Sequence, residues 1–99
     1  MAEWSSATTA ATLVLVKVGL GIRESTTAYD AALTSKIETA KDEIERQGVI
    51  DLADDPQSKE LVAAFAGWLW TNRNKEGTMP VYLRKMLNNR IFGPRMRTS

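Results

Sequence analysis

The stretch YDAALTSKIETAKDEIER, residues 29–46, decides the fold. Its apolar residues Tyr29, Leu33, Ile37, Ala40 and Ile44 recur at spacings of four, four, three and four. That period lays them along one side of an α-helix. Lys36, Glu38, Lys41, Asp42, Glu43, Glu45 and Arg46 fall between them and form the solvent face. Glu38 and Asp42 are like charges one turn apart, while Lys41–Glu45 and Asp42–Arg46 offset them at the same spacing. Gly48 stands where a glycine closes a helix in the left-handed conformation.

Working towards the C-terminus, residues 49–56 (VIDLADDP) read as a connector whose Val49, Ile50 and Leu52 turn inward. Asp54, Asp55 and Pro56 then begin another helix, since proline suits the first turn and acids suit its positive end. That helix is expected to run to about Asn72. Leu61, Phe65, Trp68 and Leu69 line one side of it, and Val62, Ala66 and Trp70 widen the stripe. Ala63, Ala64, Ala66 and Gly67 allow a neighbouring helix to come close. As the most apolar helix it is expected to be central. Residues 73–79 form a polar loop, and Pro80 opens a last helix to about Phe92 with Leu83, Leu87 and Ile91 as its stripe. Gly93-Pro94 is expected to stop it and leave a short basic tail, 93–99.

Working towards the N-terminus, residues 23–28 are a polar link. Before them, Leu13, Val16 and Leu20 share a helical face, with Lys17 expected to turn away and Thr8 or Thr9 to serve as cap. Leu13–Val18 is also rich in β-branched residues, so residues 12–20 read as helix or short buried strand. Residues 1–7 read as a flexible arm carrying Trp4. The sequence therefore predicts one all-α domain over residues 1–99, a small bundle of about four helices with its core in 8–92.

Composition narrows the function. The 99 residues contain no cysteine and no histidine. Disulfides, thiolate nucleophiles, the usual general base and the commonest metal ligands are therefore absent. No carboxylate or lysine cluster takes their place, so an enzyme is the least expected class, and no cofactor or metal is implied. Asp54-Asp55 is read as helix-start acids rather than a metal pair. No apolar run approaches the ~20 residues of a membrane helix. The segment before Leu13 carries Glu3 and no basic residue, unlike a signal peptide, so a soluble, unexported chain is expected.

The net charge of +1 hides a division. Residues 1–70 hold six basic and eleven acidic side chains, a net of −5. Residues 71–99 hold seven basic and one acidic, a net of +6. The bases are Arg73, Lys75, Arg84, Lys85, Arg90, Arg95 and Arg97. Three uses compete for them: a solvated face, a contact with the acidic flank of another subunit, or a nucleic-acid surface. Trp68 and Trp70 point about 200° apart on a helix, so they cannot form one stacking platform. One is expected in the core and the other at an interface.

Several landmarks occur in order: Val16-Lys17 with Leu20 and Ile22; a polar turn; Tyr29-Asp30, Leu33, Ile37 and Ala40; Leu61-Val62-Ala63 leading to Trp68-Leu69 and Arg73; and Met79-Pro80, Leu83, Leu87, Asn88 and Arg90. Together, over residues 12–92, they resemble the small head–tail connector (adaptor, head-completion) proteins of tailed bacteriophages. The chain departs from that pattern in its turn, Arg23-Glu24-Ser25-Thr26-Thr27, which is usually strongly acidic, and in its Thr/Ala-rich start at Ala7–Thr12.

The resemblance implies a helical subunit of a homo-oligomeric ring, typically twelve-fold. Such a ring docks on the portal protein at the head–tail junction of the virion, after assembly in the host cytoplasm. It extends the channel through which DNA passes without sequence-specific binding, and it seats the next tail or stopper protein. On that basis Trp70, Arg84, Lys85, Arg90, Arg95 and Arg97 are candidate contacts to the portal or a neighbouring subunit. The acids Glu38, Asp42 and Glu45 are candidates for lining the channel. Two alternatives stand beside it: a small helical DNA-binding module using the basic C-terminal third, and a regulatory protein anchored to one partner by Trp4 or Trp70.

Overall fold

A computed structural model describes residues 3–49, 52–72 and 79–97, the last six of them by their backbone. The described residues form four helices: α1 (Ser6–Leu20), α2 (Asp30–Arg46), α3 (Pro56–Thr71) and α4 (Val81–Arg97). Among the described residues, extended pairing is confined to one isolated antiparallel bridge between Glu3 and Ala53. α3 is the central helix and packs on all three others. α1 and α2 also meet each other, and α4 lies against α3. The stripe of α2 is buried throughout at Leu33, Ile37, Ala40 and Ile44. It meets Leu61, Val62, Phe65 and Ala66 of α3 and Val16 of α1, with Leu83 and Leu87 of α4 completing the core.

The first element is a helix. Ser5 Oγ accepts the backbone N–H of Thr8, and Thr8 Oγ1 accepts that of Ser5 (3.1 Å), a reciprocal cap with threonine in the usual Glu/Gln place. The cap is thus Ser5, earlier than Thr8 or Thr9. The helix ends at Gly21, whose φ of 74° is left-handed. The amides of Gly21 and Ile22 bond to the carbonyls of Val18 (3.2 Å) and Lys17 (2.8 Å), closing the last turn. Gly48 likewise takes a positive φ of 116° past α2.

Residues 3–5 are fastened down, in contrast to the expected flexible arm. Trp4 packs against the core and its indole N–H donates to Thr9 Oγ1 (3.0 Å), while Lys41 Nζ sits 6.0 Å from the ring centroid. A large aromatic gains more from burial than a short arm loses in ordering, provided its N–H finds an acceptor.

The largest correction concerns Lys17, which is 3% exposed. It lies four residues after Leu13 and three before Leu20, so the helical period puts it on their side. Its ammonium donates to the backbone carbonyls of Glu24 (3.2 Å) and Thr26 (2.8 Å) and forms an ion pair with Asp30. Three donors meet three acceptors. The 21–29 link is therefore wrapped around one cation from α1.

At the C-terminus, α4 continues through Gly93-Pro94 to Arg97 rather than ending near Phe92. Proline's fixed φ of about −65° is itself a helical value, so a chain can pass through it at the cost of one hydrogen bond. Ile50, expected to turn inward, lies outside the described residues, as do residues 73–78.

Lys17→Met should destabilise the domain by about 2–3 kcal/mol, because it leaves Asp30 and two carbonyls facing an apolar group. Arg46→Met, which removes a surface pair with Glu43, should cost at most ~0.5 kcal/mol. Urea denaturation of the two variants checks this; equal losses would show that the Lys17 cluster adds nothing special.

Candidate functional site

The candidate surfaces lie on the outer sides of three helices. On α2 the side opposite the core stripe carries Ala31, Ser35, Glu38, Thr39, Asp42 and Glu45, all exposed. Glu45 is paired with Lys41 (2.6 Å), and Arg46 turns to Glu43 (3.1 Å) rather than to the expected Asp42. Glu38, Asp42 and Glu45 thus share one outward stripe, as their spacing requires.

α4 sorts its bases. Arg84 and Lys85 are exposed on the side away from Leu83 and Leu87. Arg90 is drawn into the fold, with its side chain 16% exposed. Its Nη2 donates to Ser58 Oγ (2.8 Å) and lies 3.8 Å from Asp55 Oδ2, and its Nη1 donates to Gln57 Oε1 (3.2 Å). The target is the start of α3. There Asp55 caps the helix by accepting the Ser58 amide (2.8 Å) and the Ser58 hydroxyl (3.0 Å), while Ser58 Oγ accepts the Ala53 amide (3.3 Å). Arg90 therefore clasps α4 to the α3 cap, and among the described side chains the outward set on α4 is Arg84 and Lys85. Asp54 is paired with Lys59 (3.1 Å), so both acids of the Asp54-Asp55 pair have local structural work. The side chains of Arg95 and Arg97, and the whole of Arg73 and Lys75, lie outside the described residues.

The tryptophans divide less cleanly than expected. Trp68 stands edge-on to Phe65, with centroids 5.7 Å apart, and Trp70 edge-on to Tyr29 at 5.8 Å. Both are half-buried. Trp70 thus braces the start of α2 while keeping an outer edge.

The sequence reading missed a groove of about 410 Å³ between α1 and α3. It is lined by Ala63, Ala64 and Gly67, small residues read as a seat for a close neighbour, together with Leu15, Val18, Tyr82 and Glu60. Val18 is 72% and Tyr82 57% exposed. One signal was present in the sequence. Lys17 is the sole charged residue in α1, so once it turns inward no charge remains for the outer side.

Among the described residues, no group of three or more acidic side chains is placed to hold a metal ion, and no helix is long and apolar enough to cross a membrane. No protein-family model matches the chain, and no curated protein or solved structure matches it either.

Arg90→Met should cost about 1.5–3 kcal/mol through its charged hydrogen bonds. Amide exchange in α4 should quicken while α2 keeps its protection. Unchanged exchange in α4 would show that the clasp is incidental.

Proposed function

We propose that this chain is a structural subunit of a phage head–tail connector ring, which docks on the portal, extends the DNA channel and offers a seat for the next tail or stopper protein. The observation that carries the proposal is the separation of charge onto different helices. Acids face outward on α2, and Arg84 and Lys85 face outward on α4. A subunit that must meet unlike neighbours on opposite sides needs such unlike surfaces. The all-α fold supports it. So does the way Val16-Lys17 and Tyr29-Asp30, two landmarks of the resemblance, are joined by the Lys17–Asp30 pair.

In this role α4, with Arg84, Lys85 and the following residues to Arg97, is the docking element towards the portal or a neighbouring subunit, with Trp70 at its margin. The outward acids of α2 can face either the DNA channel or an adjoining subunit. The small residues beside them, Ala31, Ser35 and Thr39, favour the subunit. The chain contributes contacts and shape rather than chemistry.

Truncation after Phe92 tests the docking role. Portal-bearing heads that lack a connector should take up the full chain and take up the shortened one at least tenfold less well. Equal uptake would refute the docking role of the α4 end. A duplex-binding assay separates the DNA-binding alternative. A nucleic-acid module must bind at low salt and lose orders of magnitude in affinity as salt rises; a connector subunit should show no tight binding at either salt.

A further inference from the structure

We infer that the uncharged outer side of α1, with the groove beside it, receives the outer side of α2 from a second copy of this chain, so that copies join head to tail. The inference rests on the connector proposal only for where such copies assemble; the joint itself follows from two surfaces of the isolated chain.

The first surface is α1 with the groove. Ser6, Ala7, Ala10, Ala11, Leu15, Val18 and Gly19 are its exposed positions, and none carries a charge. An outward helix side that carries no charge is unusual for a surface helix, whose solvent side is normally charged or polar. Here α2 and α3 cover one side, and the other faces water with Val18 72% exposed. The patch continues across the groove to Tyr82 of α4. Lys85, one turn beyond Tyr82, is exposed and stands on the same side of that helix. This surface is thus largely apolar, with Lys85 one turn from Tyr82 and Glu60 among the residues that line the groove.

The second surface is the outer stripe of α2, where Ala31, Ser35, Glu38 and Asp42 follow at four, three and four residues. Its first half is small enough for close backbone approach, and its second half is acidic. Laid on the groove with Glu38 and Asp42 towards Lys85 and away from Glu60, it covers apolar surface and pairs unlike charges. Pairing α1 with α1 would instead leave the acids of α2 without a counterpart. The two surfaces share no residue, so each copy offers both at once, and such a contact propagates into a ring or filament.

The absence of cysteine makes the test clean. Val18→Cys and Ser35→Cys variants of the full chain are mixed at millimolar concentration with a mild oxidant, after circular dichroism shows that each is folded. The mixture should give a disulfide-linked heterodimer by intact mass, and neither variant alone should give an appreciable homodimer. Adding Lys85→Glu to the first variant should slow cross-linking about tenfold. Adding Glu38→Lys and Asp42→Lys to the second should restore the rate. A dominant homodimer of either variant, no mixed product, or a rate indifferent to charge reversal would each overturn the inference. Uptake by portal-bearing heads is read separately, so a failed joint and a failed connector proposal give different results.

Discussion

A single buried ammonium organises the N-terminal half of the protein. Lys17 lies on the packed side of α1, reaches the 21–29 link and satisfies its three donors on two backbone carbonyls and Asp30. Burying a charge is costly unless every donor is met by an acceptor. The path of the link and the start of α2 are therefore dictated by one side chain. Tyr29, next to Asp30, is positioned by the same link and carries Trp70 at the far end of α3 against its edge. From there the apolar stripe of α2 runs down the central helix.

The same side chain determines the surface. Had Lys17 pointed to solvent, α1 would have shown a cation to water like any amphipathic helix. With the charge turned inward, its outer side is left with alanine, leucine and valine. The other end of the molecule shows a related economy of charge. Arg90 is taken into the α3 cap with Asp55 and Ser58, so the outward basic set of α4 narrows to Arg84 and Lys85 among the side chains described. Among the described residues, a chain with net charge +1 thus presents an uncharged side on α1, outward acids on α2 and outward bases on α4.

Legibility in the sequence followed the strength of the local period. α2 was readable because Leu33, Ile37, Ala40, Ile44 and the closing glycine agree on one stripe, although Tyr29, read as its first member, stands exposed just before the helix. α3 was readable because Asp55-Pro56 marks its start and Leu61 and Phe65 its buried side. Lys17 was misplaced because residue type was weighed above spacing. Leu13, Lys17 and Leu20 lie on one side, and only the acceptors from a link nine residues on make that tolerable. Trp4 and Arg90 were misjudged for the same reason, since their partners Thr9, Ser58 and Asp55 are visible only once the chain has folded. The groove was half legible: Ala63, Ala64 and Gly67 announced a close neighbour, and the structure leaves part of that seat open beside α1.

The most direct measurement is a cryo-EM map of the chain bound to portal-bearing heads or to isolated portal. The account predicts a closed ring in which the α1 side of each subunit, bordered by Lys85, meets Glu38 and Asp42 on α2 of the next. Subunits bound singly, or a ring whose neighbours meet through other helices, would contradict it.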